Sequence, residues 1–372
     1  MLAIDRLGIG GTEQQMVELA LGLKQRGWDV HVAALSGPGE HDDLLLRSGI
    51  PVFHGRVRDP RGASRLRRVA SVLSLPLALA QYARWLRRVR PTVVHGFLYK
   101  AYVPTVFAAR LARVPVVITG RRSLGHFKRD RRLALRVERA ANARTDVVVA
   151  NSDAVAEDAR AHEHLPPDKV VVIRNGIPER FFAVPPRAAS TDEIRILCVA
   201  NFIPYKGHTD LLDAAALVAR DGVAFTLLLV GEGPDRDDLE QRAHRLGVRA
   251  EFLGTRTDVD ALLAQSDIVV LASHEEGLSN SILEAMAAAR PVVATAVGGN
   301  PEALGDAGVL VPDRDAGAMG VALAALARDG SRREELGHAA RERARACFSL
   351  DRMIDEHVAL YTRYARPVGA GT

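Results

Sequence analysis

Short apolar runs rich in β-branched residues alternate with longer segments of helical periodicity along the chain, and the alternation occurs in two successive series. Such alternation predicts parallel strands that are connected by helices. In the first series we expect strands over 30–35, 51–53, 92–95, 115–119, 146–150 and 170–173. In the second series we expect them over 194–200, 224–230, 250–253, 268–271, 291–294 and 308–311. The sequence therefore predicts an α/β protein of two doubly wound, Rossmann-like domains.

A segment with two prolines and small polar residues separates the two series, and it reads FFAVPPRAASTDE over 181–193. This composition is typical of a linker. We predict a first domain over 1–183, a linker over 184–193, a second domain over 194–348 and a terminal helix over 349–372 that packs back towards the first domain. Parallel sheets bind ligands at the carboxyl ends of their strands, so two facing sheets predict a central cleft that holds the chemistry.

The composition restricts the class of protein. The 372 residues are 48% hydrophobic and 26% charged, which is ordinary for a globular chain and excludes a disordered or collagen-like one. The two cysteines have no metal-ligand spacing, and the first residues lack the apolar core of a signal peptide. The longest weakly charged stretch, over 69–83, is too short to span a membrane. We therefore expect a cytoplasmic protein with reduced thiols.

Charge is distributed unevenly along the chain. Residues 1–187 carry 31 Lys and Arg against 17 Asp and Glu, whereas residues 188–372 carry 19 against 28. Dense arginines occupy 56–68, 84–90 and 126–140. Two explanations compete equally: contact with an anionic membrane surface, and a solvated arginine-rich face. Nucleic acid is disfavoured as a partner, because aromatic residues make up only 5% and no DNA-binding motif is present.

A loop that leads into a helix carries the most informative residues. It reads SHEEGLSNSILEAMAAARPVVATAVGGNPE over 273–302, and we expect its helix to begin near Ser281. The loop and the helix start present backbone N–H groups that suit an anion. Glu276 on the loop and Glu284 in the helix are placed to accept hydrogen bonds from sugar hydroxyls on either side of a diphosphate. For an isolated pair of glutamates, ordinary solvent-facing acids would be the better explanation.

The context of the two glutamates resembles glycosyltransferase family 4, most closely over 194–302. The family's Glu-x7-Glu signature corresponds to Glu276 and Glu284, followed by AMA and PVVAT. The similarity continues in GGNPE, VGEGP, FLG and NFIPYKGH of the second half, and in IGGTEQQ, VANS and RNGI of the first. The resemblance covers nearly the whole chain. It implies the GT-B fold, in which two Rossmann-like domains face a central cleft, and retaining transfer from a nucleotide sugar.

The resemblance also implies roles for individual residues. Glu276 corresponds to the glutamate beside the donor hexose, Glu284 to the glutamate on the ribose hydroxyls, and Lys206 to the phosphate-binding lysine. Glu276 and Lys206 are therefore the predicted catalytic residues, with Lys206 neutralising charge on the departing diphosphate. The other predicted donor-binding residues lie in three loops: Gly277, Leu278, Ser279, Asn280 and Ser281; Gly10, Gly11 and Thr12; and Asn201. The nucleotide diphosphate sugar is the expected co-substrate, and no cofactor or catalytic metal is expected.

The sequence departs from the family at the second cation and at a histidine. Asn201 stands five positions before Lys206, where the family commonly has an arginine. After the strand at 115–119 the chain reads GRRS, where many members place a histidine. Three arginines are candidate phosphate or acceptor contacts: Arg121, Arg122 and Arg174. His95 and His126 are candidates for the histidine, although a lone histidine after a strand is more often structural. We assign no general acid or base.

Two further features have ordinary explanations. Asp258 with Asp260, and Asp313 with Asp315, have a spacing used by metal-dependent transferases of another fold. Both pairs precede predicted helices, so helix capping is the favoured explanation. The strand before the glycine loop is short, over 2–5, and we expect the natural start to lie a few residues upstream.

The sequence thus predicts a retaining glycosyltransferase that moves a hexose or N-acetylhexosamine from a nucleotide diphosphate sugar to a glycan or lipid-linked acceptor, in cell-surface polysaccharide or glycolipid synthesis. We also expect peripheral contact with the anionic inner face of the membrane. Three alternatives stay open. A non-catalytic sugar-nucleotide-binding protein is supported only by Asn201 and the absent histidine. A GT-B-fold sugar-nucleotide epimerase has weaker similarity to these motifs, and a dehydrogenase is disfavoured because its dinucleotide fingerprint is missing.

Overall fold

The computed structural model describes residues 1–55, 65–125, 131–185, 187 and 193–365, with the side chains of 65–75 left aside. The chain divides into two compact units. The first comprises Met1–Arg174 and Asp351–Thr372, and the second comprises Asn175–Leu350. The division falls before the predicted linker, because Ile177, Phe181 and Phe182 are buried in a core cluster of the second unit.

The described part of the first unit contains a seven-stranded parallel sheet in the order β3-β2-β1-β4-β5-β6-β7. Its strands are β1 (Leu2–Ile4), β2 (Val32–Ala34), β3 (Val52–His54), β4 (Val93–Gly96), β5 (Val116–Arg121), β6 (Val147–Ala150) and β7 (Val170–Val172). Its connecting helices are α1 (Gly11–Gln25), α2 (Asp42–Arg47), α3 (Arg65–Val89), α4 (Tyr99–Leu111), α5 (Arg132–Asn142) and α6 (Asp153–Glu163). The strand order reverses between β1 and β4, which makes a switch point at their carboxyl ends.

The second unit repeats the plan with a six-stranded parallel sheet in the order β10-β9-β8-β11-β12-β13 over its described residues. Its strands are β8 (Ile194–Val199), β9 (Phe225–Val230), β10 (Ala250–Phe252), β11 (Ile268–Leu271), β12 (Val292–Thr295) and β13 (Val309–Val311). Its helices are α7 (Glu179–Phe182), α8 (His208–Arg220), α9 (Arg236–Leu246), α10 (Val259–Ala264), α11 (Asn280–Ala287), α12 (Asn300–Leu304), α13 (Ala316–Arg328) and α14 (Gly330–Cys347). The prediction of two doubly wound parallel sheets is confirmed.

Alternate residues of the central strands enter different core layers of the second unit. Ile196 and Cys198 of β8 lie in one buried cluster, and Leu197 between them lies in the other. Since successive side chains of a strand point to opposite faces, both faces of this sheet are covered. A strand buried on both faces reads as a continuous apolar run, which explains why the run ILCV was recognisable in the sequence.

The last helix, α15 (Leu350–Ala365), packs on the first unit. Tyr361 Oη lies 2.8 Å from His95 Nδ1 at the end of β4. The ring of Tyr361 also meets Trp28 edge-on, with centroids 6.1 Å apart. Arg26 donates to Asp351 and Asp355 at the exposed margin of the same helix. The first unit is therefore assembled from two stretches of sequence. Among the described helices, none has the length and hydropathy needed to cross a membrane.

The residue after the C-cap of helix α11, Ala289, has a left-handed backbone conformation that usually belongs to glycine. Ala289 has φ of 55°. Its N–H donates to the Met286 carbonyl, and the N–H of Arg290 donates to the Ala285 carbonyl. These two bonds form a Schellman motif, whose left-handed residue is usually glycine because a Cβ is strained there.

Replacing Ala289 with glycine is therefore expected to stabilise the protein by about 1 kcal/mol, since the strain of the left-handed residue is relieved. Thermal unfolding of purified protein measures the effect. Ala287→Gly is the matched control, because it places the same substitution inside α11 and should lower the melting temperature. Equal destabilisation by both substitutions would contradict the assignment of strain to Ala289.

Candidate active site

Lys206 and Glu276 meet at the carboxyl ends of two adjacent strands in the second unit. Lys206 ends a short 3-10 turn, Pro204–Lys206, after β8. Glu276 lies in the loop that follows β11, and β8 and β11 are hydrogen-bonded neighbours. Lys206 Nζ lies 2.6 Å from Glu276 Oε1. The structure thus brings together the two predicted catalytic residues, 70 positions apart in sequence.

The Lys206–Glu276 pair is largely shielded from solvent. Glu276 is 8% exposed, and the side chain of Lys206 is 18% exposed. Ser273, which is fully buried, donates its hydroxyl to the same Oε1 atom at 2.7 Å. Charge-assisted bonds of this length fix both side chains before any ligand arrives. Sequence reasoning missed Ser273, although its place two residues after the buried strand β11 was a usable signal.

Two glycines allow neighbouring loops to approach the strand end closely. Gly207 has φ of 68°, and a Cβ there would overlap the carbonyl oxygen of Ala272. Gly298 has φ of 51°, and a Cβ there would overlap the carbonyl oxygen of Glu276. Any side chain at either position would displace the backbone that carries Lys206 or Glu276.

The loop between Glu276 and α11 is held by a side chain from another part of the sequence. Asn175 Nδ2 donates to the Leu278 carbonyl at 3.1 Å and to Asn280 Oδ1 at 2.7 Å. Asn175 is 4% exposed, so these bonds are sheltered from water. Asn175 belongs to the RNGI segment, but sequence reasoning did not assign it a role.

Helix α11 begins at Asn280, one residue before the predicted start. Ser279 is its N-cap, and its hydroxyl accepts the Ile282 N–H at 3.4 Å. The amides of a helix's first turn have no intrahelical acceptors, and they favour an anion. Gly277, Leu278, Ser279, Asn280 and Ser281 are thus gathered around a helix N-terminus beside Lys206 and Glu276.

Glu284 lies in the second turn of α11 and is 6% exposed. Burial raises the pKa of Glu284 to about 8, and the negative charge of Asp260 acts in the same direction, while Arg180 opposes both. A buried carboxyl without a strong cationic partner favours its neutral form. Near neutral pH, the ligand-free protein therefore holds a proton on Glu284.

Removing this titration is expected to change the pH dependence of stability. The folded pKa of about 8 lies above the ordinary 4.5, so the folded state binds the proton more tightly than the unfolded state. Stability is then lost as pH rises from about 4.5 to about 8. Glu284→Gln mimics the protonated form at every pH, so its melting temperature should exceed that of the wild type increasingly between about pH 4.5 and about pH 8, and by a constant margin at higher pH.

The control for this prediction is Glu251→Gln, because Glu251 is an exposed acid of the same unit. Its melting temperature, plotted against pH, should run parallel to that of the wild type. Parallel curves for Glu284→Gln as well would show that Glu284 ionises normally.

The glycine loop of the first unit leads directly into α1. Gly10 is the N-cap, and Gly11 and Thr12 form the start of the helix. A Cβ at Gly10 would overlap the carboxylate of Glu13, which folds back over the loop. Burial raises the pKa of Glu13. The donor-binding role of this loop stays a prediction.

Arg121 is committed to the interior of the first unit. It is 5% exposed, and its Nη2 donates to Glu163 Oε2 and to Asn142 Oδ1, each at 2.8 Å. Its guanidinium also lies 3.9 Å from the centroid of the Tyr102 ring. These contacts argue against the predicted phosphate contact for Arg121, since the side chain already has a buried anionic partner.

The other first-unit candidates have different environments. Arg122 is 9% exposed, and burial lowers its pKa to about 10. Arg174 donates to Asp153 at 2.9 Å and is partly exposed. His95 is fully buried, and burial together with nearby His357 and Arg122 lowers its pKa well below the ordinary value. The packing of His95 against α15 supports a structural role, and His126 lies outside the described residues.

Two family models match successive parts of the chain. Residues 9–181 match the model described as Glycosyltransferase Family 4, and residues 193–329 match Glycosyl transferases group 1. The chain belongs to glycosyltransferase family 4.

Solved structures support the fold of this family 4 chain. Anabaena HepE, crystallised in complex with UDP and glucose, aligns with a TM-score of 0.82 at 23% identity, covering 97% of this chain and 98% of HepE. WaaG, a glycosyltransferase involved in lipopolysaccharide biosynthesis, aligns with a TM-score of 0.73 at 19% identity, covering 97% of this chain and 100% of WaaG. Likeness at these identities establishes the GT-B fold.

Curated relatives include two bacterial glycosyltransferases. The N-acetyl-alpha-D-glucosaminyl L-malate synthase of Bacillus anthracis is 30% identical over 229 residues, 58% of this chain and 59% of that enzyme. The D-inositol 3-phosphate glycosyltransferase of Geodermatophilus obscurus is 34% identical over 255 residues, which are 62% of this chain and 55% of that enzyme. The family 4 chain thus matches somewhat more than half the length of these relatives.

The departures from the family 4 pattern remain visible in three dimensions. Asn201 is exposed at the end of β8 and brings no positive charge to the site.

Asp315 caps α13 by accepting the Ala318 N–H at 2.8 Å, as predicted. Asp258 precedes α10 but binds Arg256 at 2.7 Å instead of capping, so its predicted role was wrong. Within the described ranges, no group of His, Cys, Asp or Glu is arranged to hold a metal ion.

Proposed function

We propose that this chain is a retaining glycosyltransferase that transfers a hexose or N-acetylhexosamine from a nucleoside diphosphate sugar to a glycan or lipid-linked acceptor. The observation that carries the proposal is the Lys206–Glu276 pair, 2.6 Å apart beside the N-terminus of α11, with Glu284 buried in the same helix. This arrangement combines a set of helix amides and two carboxylates on one loop and helix with a fixed cation from the neighbouring turn after β8.

The cation and the helix amides suit the diphosphate of the donor. Cleavage of the bond between the sugar and the diphosphate leaves negative charge on the departing phosphate oxygens. Lys206 and the first-turn amides of α11 would stabilise this charge as it develops, and they need little rearrangement to do so. Because Lys206 supplies positive charge itself, we propose that catalysis requires no metal ion, and EDTA should leave the rate unchanged.

The two carboxylates suit the two sugar rings of the donor. Glu276 precedes the helix and would accept hydrogen bonds from hydroxyls of the transferred hexose, orienting its reacting carbon. Glu284 lies about 6 Å along the helix from Asn280, given a rise of about 1.5 Å per residue, and would accept hydrogen bonds from the ribose. An ionised Glu284 is the better acceptor, so nucleotide affinity should rise as pH approaches about 8.

A donor screen followed by an assay tests the proposal. HepE was crystallised with UDP and glucose, so UDP-sugars are the first probes, followed by GDP-, ADP- and dTDP-sugars. A ligand at about 100 times its dissociation constant stabilises the folded state by about 2.7 kcal/mol, which a thermal-shift screen detects. Transfer or donor hydrolysis is then measured, and NMR of the product's anomeric proton reports retention. Binding without either reaction would favour the non-catalytic alternative.

Membrane contact is a second part of the proposal. Residues 1–187 carry the large excess of Lys and Arg, and helix α5 exposes Arg132, Arg136 and Arg139 together with Leu133, which is 73% exposed. Exposed basic and apolar residues on one helix suit an anionic lipid surface. The 56–64 part of the first arginine cluster and residues 126–130 lie outside the described residues.

Sedimentation with vesicles tests the membrane contact. The wild type should pellet with phosphatidylglycerol vesicles at low salt and stay in solution with phosphatidylcholine vesicles. Combined Arg132→Glu and Arg136→Glu substitutions should reduce the pelleted fraction, whereas Arg332→Glu in the second unit should not. Equal behaviour with both lipids would remove the membrane part of the proposal.

A further inference from the structure

The second unit contains a cavity at the edge of its sheet opposite to Lys206 and Glu276. Its wall includes Asp267 and Pro291, which directly precede β11 and β12, and one side of α14. Since these strands of four residues span about 13 Å, the depth of the sheet separates the cavity from the candidate active site. The cavity measures about 620 Å³, a size typical of small-molecule sites.

Four arginines line the cavity: Arg187, Arg290, Arg333 and Arg341. Arg290 is 2% exposed and donates to the carbonyls of Leu263 at 2.7 Å and Pro185 at 2.6 Å. Arg341 donates to the carbonyls of Phe182 and Val184. Neutral carbonyl partners fix the positions of these guanidinium groups without cancelling their charges.

One carboxylate of the cavity, Asp267, pairs with a single one of the four arginines, Arg187. Asp267 accepts from Arg187 Nε at 2.7 Å through one oxygen and from the Arg195 N–H at 2.8 Å through the other. Glu334 and Glu342 belong to the exposed side of α14, at the rim. Burial and the positive charges of Arg187 and Arg341 together lower the pKa of Arg290 to about 10, against the opposing charge of Asp267. Positive charge is therefore crowded around Arg290.

We propose that this cavity binds a phosphorylated sugar, as a second small-molecule site separate from the donor site. The crowded guanidinium groups suit a phosphate monoester, because arginine forks match its oxygens. The volume exceeds what a phosphate ion fills, and the described residues of the lining include no Phe, Tyr or Trp on which a nucleobase would stack. Glu334, His338 and Glu342, four positions apart on α14, present polar groups for sugar hydroxyls at the rim.

Calorimetric titration with glucose 6-phosphate, inorganic phosphate and glucose tests the proposal. The full-length Lys206→Ala variant is used alongside the wild type, so that phosphate binding at the donor site is separated from binding at the cavity. Glucose 6-phosphate should bind both proteins with equal affinity, more tightly than inorganic phosphate, and glucose should not bind. Loss of binding in Lys206→Ala, or no binding to either protein at millimolar concentration, would overturn the proposal.

Variants at the cavity complete the experiment. Arg290→Ala removes the central charge, but its two carbonyl bonds also hold the fold together. Arg187→Ala is therefore the second variant, since the Arg187 side chain is 27% exposed. It should weaken glucose 6-phosphate binding about tenfold, whereas Arg332→Ala, on α14 but not among the residues that line the cavity, should leave it unchanged. Equal affinity of Arg187→Ala and the wild type would place the ligand elsewhere.

Discussion

Glu276→Gln should lower kcat/KM for sugar transfer by about 10²–10³-fold while leaving the protein folded. Glutamine keeps the size of the side chain but removes the charge that holds Lys206 at 2.6 Å and accepts the Ser273 hydroxyl. The amide would also lose acceptor capacity towards the hexose hydroxyls. Initial rates with saturating and subsaturating donor, together with a melting curve, measure the effect.

Glu275→Gln is the matched control for this prediction. It removes the same charge one residue earlier, outside the Lys206–Glu276 pair. Its kcat/KM should stay within about threefold of the wild type. Comparable losses in both variants would show that the loop responds to net charge alone, and the specific role of Glu276 would be abandoned.

Lys206→Ala should lower kcat by a similar factor, about 10²–10³-fold, and also weaken binding of the nucleoside diphosphate. The loss should depend on the phosphates, so affinity for the free nucleoside should not change. Lys206→Arg should restore part of the diphosphate affinity, because it keeps the charge while changing the geometry of the contact. Calorimetry with the diphosphate and the nucleoside separates these effects from changes in rate.

The two substitutions should not add. Because Lys206 and Glu276 contact each other directly, the double variant should lose much less activity than the product of the single losses predicts. Lys24→Ala, which removes an exposed lysine from α1, is the control for the loss of one positive charge. Independent, multiplicative losses would indicate that the pair does not act as a unit.

Much of the fold was predictable from the sequence because its strands are buried on both faces. Runs such as LLLV within β9 are apolar throughout, and the helices between them show ordinary periodicity. Short elements were missed, among them α7 and α12, because four or five residues do not establish a helical period. The boundary between the units was placed too late, since local composition at 184–193 did not reveal that Phe181 and Phe182 pack into the second unit.

The candidate site was only partly predictable for a related reason. The positions of Glu276 and the following residues were predictable, because a loop and a helix start are determined by nearby sequence. Contacts made by Asn175 with Leu278 and by Ser273 with Glu276 depend on tertiary packing. Arg121 illustrates the opposite error: its place after the strand over 115–119 suggested a phosphate or acceptor contact, but the fold buries it beside Glu163. Charge alone does not reveal whether a partner lies across the domain.

The two-stretch construction of the first unit has a consequence for biosynthesis. During translation, Met1–Arg174 leaves the ribosome well before Asp351. His95 and Trp28 therefore lack their contacts with Tyr361 until the entire second unit has been made. The nascent first unit therefore exposes an apolar and aromatic surface while synthesis continues. A chain truncated just after Leu350 would expose that surface permanently. We expect such a chain to bind chaperones.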